Sequence, residues 1–128
     1  MAYIPNPQHR NAAFASQKSQ WVISVSDELV CYQKSQQEQW VCGEAYWGLH
    51  LVQLSPSLLG TSQQPSPSPL HIAKFVGDLN GNWHGYPVAH WLSPYDKPAV
   101  NVLNSWLESG MINRPKYAKI HRGKKCTL

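Results

Sequence analysis

The residues best suited to chemistry lie in one stretch, 70–92, where histidines and aromatic residues flank an Asn80-Gly81 pair. Asn-Gly between apolar runs is the strongest short-range indication of a β-hairpin with a two-residue turn, because a type I′ turn needs positive φ at both central positions. With Leu79 and Asn82 flanking the turn, the expected opposed pairs are Phe75 with Tyr86, Ala73 with Val88 and His71 with His90.

This register places three of the six histidines, His71, His84 and His90, on one face with Tyr86. Imidazole titrates near neutral pH and can both accept and donate protons. The face therefore suggests metal-independent RNA cleavage, with His84 as general base, His90 as general acid and Tyr86 stabilising the phosphate. Histidines and tyrosines of a sheet are also typical of ordinary packing and hydrogen bonding.

A metal site on the same face is a weaker interpretation. Directly opposed His71 and His90 would have Cβ atoms about 5 Å apart, close enough to share an ion. No third ligand has a recognisable spacing, so we predict no metal site. The sequence lacks the nucleotide-binding, serine-hydrolase, zinc-protease and EF-hand motifs, and we predict no cofactor.

Basic residues are concentrated at the C-terminus. Residues 113–128 contain six of them and no acid: Arg114, Lys116, Lys119, Arg122, Lys124 and Lys125. Such a cluster attracts phosphate backbones or acidic protein surfaces. We therefore expect a small basic binding protein that engages nucleic acid or an acidic protein surface, with His71 and Trp83 adding contacts from the hairpin. In the RNase interpretation, Lys119 or Arg122 would approach the phosphate. A solvated tail that keeps an aromatic-rich chain soluble is the simpler alternative.

Pro87 marks the second arm of the hairpin as an edge strand, because a proline has no N–H to donate to a neighbouring strand. An edge strand leaves one row of backbone groups available to a partner. This gives an alternative function: an accessory or inhibitory protein that docks through residues 83–91, with Trp83 and Trp91 as anchors.

One helix is strongly indicated, from Pro98 to Ser109. Asp96 is the expected N-cap and Gly110 the residue that ends the helix. Its apolar face follows helical spacing through Ala99, Val102, Leu103, Trp106 and Leu107. After it, residues 111–120 suggest a last short strand around Pro115.

A chain of 128 residues suits one domain. We expect a flexible N-terminal arm at 1–19 and a single α+β domain at 20–128. This domain combines a small, mainly antiparallel sheet with one C-terminal helix packed on it and a Ser/Pro-rich loop at 55–69. Three cysteines without a CxxC pair favour a reducing compartment. With no signal-peptide or membrane-spanning pattern, we expect a cytoplasmic protein and no membrane partner.

Overall fold

The computed structural model describes residues 2–128, which form an α+β fold of short antiparallel strands and three α-helices. The strands are β1 (Gln20–Trp21), β2 (Val41–Cys42), β3 (Ala45–Gly48), β4 (His50–Val52), β5 (Ser55–Ser57), β6 (Gly60–Thr61), β7 (Pro69–Leu70), β8 (Ile72–Gly77) and β9 (Trp83–Val88). The helices are α1 (Val25–Gln37), α2 (Val100–Glu108) and α3 (Arg114–His121), and 3₁₀ turns occupy Pro7–Arg10, Ala12–Phe14 and Pro94–Asp96.

The main sheet has four antiparallel strands in the order β2-β3-β8-β9, so β9 is an outer strand. Strands β1, β6 and β7 form a second sheet, and β4 with β5 a small hairpin. The predicted fold class, a mainly antiparallel α+β domain with a hairpin and a C-terminal helix, is confirmed. Within residues 2–128, no helix combines the length and apolarity needed to cross a membrane.

The predicted hairpin register is wrong by one residue. The observed pairs include Ile72 with Val88, Lys74 with Tyr86, Phe75 with Gly85 and Val76 with His84. A shift of one residue moves side chains to opposite faces of a sheet. Phe75 and His84 therefore lie on different faces. His71 precedes β8, and His90 lies beyond the end of β9, so the two histidines are not opposed.

Asp78 explains the shift. Its N–H donates to the carbonyl of Asn82 (2.8 Å), and its carboxylate accepts from the N–H groups of Asn80 (2.8 Å) and Asn82 (3.0 Å). In this loop only Gly81 takes a positive φ, 78°, whereas a type I′ turn needs two such residues. The Asp78 side chain thus stabilises a three-residue loop, 79–81, in place of the two-residue turn.

The main sheet packs on both faces. Ile72 and Val88 face a core formed with α2 and α3, in which Val102, Leu103 and Trp106 are buried as the helical spacing predicts. The opposite face, centred on Phe75, packs against α1 in a second core. This second layer fixes β9 and the chain before it relative to α1.

Two expectations about the C-terminal elements are wrong, each because of a proline. Pro98 disfavours helical backbone at the preceding residue, so Lys97 is extended and α2 begins at Val100 instead of being capped by Asp96. The expected strand around Pro115 is helix α3. Its proline occupies the first turn, where no hydrogen bond is lost, and Asn113 caps it.

The N-terminal residues lie against α1. Buried Glu28 forms an ion pair with Arg10, whose Nη2 lies 2.7 Å from Oε1, and accepts a hydrogen bond from the Tyr3 hydroxyl. Arg10 also donates to the carbonyl of Ile23 (2.8 Å). The expected flexibility of residues 1–19 concerns their motion and stays a prediction.

Candidate functional site

The six predicted basic residues lie on α3 and the chain that follows it. We call this set, Arg114, Lys116, Lys119, Arg122, Lys124 and Lys125, the basic surface. Buried Ile120 anchors α3 to the core, and Lys119, Arg122, Lys124 and Lys125 are exposed. Among the described residues, none of the six forms an ion pair with a carboxylate. Their charges are therefore left for an external anion.

A groove of about 250 Å³ runs beside the basic surface, and we call it the Trp91 groove. Its lining includes Trp91, Lys97 and Arg122. The ammonium of Lys125 lies 5.5 Å from the centroid of the Trp91 ring, a cation–π contact. Lys97 donates to the carbonyl of His121 at the end of α3 (3.0 Å). Two cations thus line the groove together with Trp91, and a third, Lys125, contacts the Trp91 ring.

His90 and His71 support this region. His90 is buried, and its Nε2–H donates to the carbonyl of Lys124 (2.7 Å), so it ties the C-terminal chain to the body. Burial lowers its pKa. Half-buried His71 also has a lowered pKa, because of its burial and then the charge of Lys116. The lowered pKa favours the neutral form of both rings, and His90 has a structural role through its hydrogen bond to Lys124.

A larger cleft, of about 510 Å³, shares Leu92 with the Trp91 groove; we call it the His9 cleft. It is lined mainly by β9, by residues between Asn6 and Ser19, and by Ala89, Leu92 and Asp96 of the loop after β9. The titratable side chains along it are His9, Lys18, His84, Tyr86 and Asp96.

His9 is held in one orientation and one tautomer. Its Nδ1–H donates to the carbonyl of Ser19 (2.8 Å), and its ring stacks on Tyr86 with centroids 5.2 Å apart and planes at 16°. The residue is only 7% exposed, and this burial lowers its pKa. The neutral ring leaves Nε2 as an acceptor, and that atom has no hydrogen-bond partner among residues 2–128.

Tyr86 and Asp96 are the acidic groups of the cleft. Burial, followed by the charge of Asp96, raises the pKa of Tyr86 to about 12, so the hydroxyl remains a donor. Burial also raises the pKa of Asp96, and the charge of Lys74 offsets this only in part. Within the described chain the Asp96 carboxylate has no hydrogen bond and no ion pair.

His84 is engaged on both ring nitrogens. Nδ1 lies 2.8 Å from the carbonyl oxygen of Ile4, and Nε2 lies 2.8 Å from Oδ2 of Asp78. Both partners accept, so the doubly protonated ring fits best, and the hydrogen bond to Asp78 is the main cause that raises the pKa of His84. Of the proposed catalytic set, the structure brings together His84 and Tyr86 but places His90 at the Trp91 groove.

The outer edge of β9 is occupied by the N-terminal part of the same chain. The carbonyls of Trp83, Gly85 and Pro87 accept from the Ile4 N–H (2.8 Å), the Trp21 indole (3.4 Å) and the Ser19 hydroxyl (2.6 Å), respectively. The edge position predicted from Pro87 is confirmed. A partner strand would first have to displace these contacts.

Trp83 lines a separate cleft with Tyr46, its ring 5.3 Å away and nearly perpendicular. It is not part of the lining of the Trp91 groove.

His9 and Asp96 are the site residues that the sequence reasoning missed. The signal for His9 was the Asn6-Pro7 pair, an N-cap followed by a first-turn proline, which here begins the 3₁₀ turn carrying His9. Across residues 2–128, no group of three histidine, cysteine or acidic side chains is placed to hold a metal ion.

Comparison with known proteins gives no match. No protein-family model matches the chain, and neither the curated proteins nor the solved structures include one similar to it.

Proposed function

We propose that this protein binds single-stranded nucleic acid through the basic surface and the Trp91 groove. The observation that carries the proposal is the set of six cations without a carboxylate partner in the described chain. Of the five other basic residues, Arg10 pairs with Glu28 and Lys34 with Glu38, whereas Lys18, Lys74 and Lys97 have no ion pair in the described chain. Unpaired cations on one surface are the electrostatic footprint that phosphate backbones require.

The shape of the groove favours a single strand over a duplex. A groove of about 250 Å³ with Trp91 in its wall suits a nucleotide and its phosphate better than a rigid helix. Cations beside an aromatic ring are the combination on which non-specific single-strand binding depends. An acidic protein surface would satisfy the charges but gives the groove no role.

The two alternatives have less support. In the edge-strand alternative, residues 83–91 dock on another chain, yet the carbonyls at the edge already accept from residues 4, 19 and 21. In the RNase alternative, His84 is the general base, yet both its nitrogens are hydrogen-bonded.

We place the protein in the cytoplasm. Cys31, Cys42 and Cys126 are free thiols, which is the state that a reducing compartment maintains.

The test is fluorescence anisotropy of a labelled oligouridylate at several salt concentrations. We expect affinity to fall steeply with salt, and the double variant Lys119→Gln, Arg122→Gln to bind more weakly. For single strands the log–log slope falls by about 0.7 for each phosphate contact removed. Lys34→Gln is a control outside the basic surface: it removes a charge from α1 and should leave both affinity and slope unchanged.

Two results would refute the proposal. The first is undetectable binding at low salt, or binding that salt does not weaken. The second is equal affinity for polyglutamate and for the oligouridylate when the two compete at the same concentration of negative charge. That result would favour an acidic protein partner. A duplex of the same sequence length should bind less tightly than the single strand.

A further inference from the structure

We propose that the His9 cleft is a base-recognition pocket for guanine, which reads one nucleotide of a strand held on the basic surface. The inference rests on the proposed function for the position of the strand. The chemistry of the pocket comes from a separate group of residues.

The His9 cleft and the Trp91 groove are neighbours: Leu92 lines both, and consecutive residues Asp96 and Lys97 line the cleft and the groove respectively. A nucleotide whose phosphate meets Lys97 therefore has a second, larger cavity within one residue of its contact. At about 510 Å³, this cavity lies in the size range of small-molecule sites and can take a purine.

Neither Lys74 nor the adjacent Lys97 pairs with Asp96: Lys74 donates to the carbonyl of Tyr95 (2.6 Å) and Lys97 to the carbonyl of His121 (3.0 Å). Asp96 is therefore left as a half-buried acceptor without a protein donor in the described chain. The oxygens of this carboxylate are therefore available to a ligand that supplies N–H donors.

The pattern of hydrogen-bond donors on each base decides which base suits Asp96. A carboxylate has two acceptor oxygens, and guanine presents two adjacent donors, the ring N1–H and the exocyclic amino group. Adenine and cytosine place an acceptor beside their amino group, and uracil has a single ring N–H donor. The Tyr86 hydroxyl and the Lys18 ammonium are donors along the same cleft, which suit the acceptors O6 and N7 of guanine.

Beside these polar groups the lining of the cleft includes the apolar side chains of Val76 and Leu92. A planar heterocycle is large enough to contact these side chains while its edge meets Asp96, whereas a small amine is not. The stacked His9 and Tyr86 rings hold the wall rigid, since His9 is fixed by Ser19.

The test is calorimetric titration of the full chain with GMP, AMP, UMP and IMP. All four carry the same phosphate, so differences report the base. We expect GMP to bind most tightly and IMP, which lacks the amino group, more weakly. Asp96→Asn should weaken GMP by about tenfold or more and leave AMP unchanged or tighter, because an amide can pair with adenine. Glu108→Gln, an exposed acid on α2, is the matched control.

Oligouridylate binding separates the two proposals. If oligouridylate binds wild type and Asp96→Asn alike but GMP shows no preference over AMP, the guanine pocket is refuted and the basic surface stands. If GMP is preferred and Asp96→Asn abolishes the preference while oligouridylate fails to bind, the pocket is supported and strand binding is refuted. Unchanged GMP affinity in a folded Asp96→Asn variant overturns the pocket.

Discussion

The contact between Arg10 and Glu28 should hold the N-terminal residues in place, and Arg10→Met tests it. Arg10 donates to Oε1 of Glu28 from Nε (3.0 Å) and Nη2 (2.7 Å), and from Nη1 to the carbonyl of Ile23. Methionine keeps an unbranched apolar side chain but removes all three hydrogen bonds. Glu28, whose side chain is 0% exposed, then keeps only the Tyr3 hydroxyl as a side-chain partner.

The magnitude follows from burial. Removing one partner of a buried ion pair costs about 3–5 kcal/mol, because the other charge stays buried without compensation. The Arg10 side chain is 22% exposed, so water can reach the vacated space and the loss should lie near the lower end, about 3 kcal/mol. With a urea m-value of about 2 kcal/mol/M, typical of small domains, the midpoint should fall by roughly 1.5 M.

Urea unfolding followed by tryptophan fluorescence measures this loss. Lys34→Met is the matched control: its pair with Glu38 is exposed on α1, and such pairs contribute about 0.5 kcal/mol or less. A loss below about 1 kcal/mol for Arg10→Met would contradict the argument. It would support instead the flexible arm expected for residues 1–19.

Two further predictions concern the hairpin. A Cβ on Gly85 would lie 2.3 Å from Cδ1 of Phe75, whereas one on Gly77 would come no nearer than 3.6 Å to any neighbour. In urea unfolding, Gly85→Ala should therefore cost about 1–3 kcal/mol and Gly77→Ala no more than about 0.5 kcal/mol; equal effects would contradict the packing. The hydrogen bond to Asp78 is the main cause that raises the pKa of His84 in the folded protein. The stability that the protonated ring contributes is therefore full below the ordinary histidine pKa of about 6.5 and is lost as pH rises through the raised pKa of the folded protein. Melting temperatures measured across pH should show this decline in wild type but not in His84→Gln. Parallel curves of melting temperature against pH for the two proteins would contradict the prediction.

Local patterns were enough to predict α2 and the existence of the hairpin. The apolar spacing through Val102 and Trp106, with Gly110 at positive φ (76°) to end the helix, is encoded within one short segment. The hairpin register depended on a competition between two turn signals next to each other. Asn80-Gly81 favours a two-residue turn, but the Asp78 carboxylate bonds two backbone N–H groups of the longer loop. Sequence patterns do not rank such alternatives.

The basic surface and the His9 cleft also differ in how far a local sequence pattern predicts them. The basic surface was visible from composition, because its six cations are close together in sequence. The His9 cleft joins residues 9, 86 and 96, and it exists only because the chain before β1 packs beside β9. That docking depends on long-range contacts such as Ser19 with Pro87 (2.6 Å), and no local pattern predicts a contact across 68 residues.

Asp96 links the failed helix prediction to the candidate site. As an N-cap, its carboxylate would accept from the first N–H groups of α2 and would have no capacity left for a ligand. Pro98 prevents this by holding Lys97 extended, and α2 begins after Ala99 without any side-chain cap. A missing cap costs a helix about 0.5–2 kcal/mol, so the chain carries a local cost at the start of α2, three residues after Asp96. Departures from local rules are expected at functional sites, and this one leaves Asp96 as the acceptor on which the proposed guanine recognition depends.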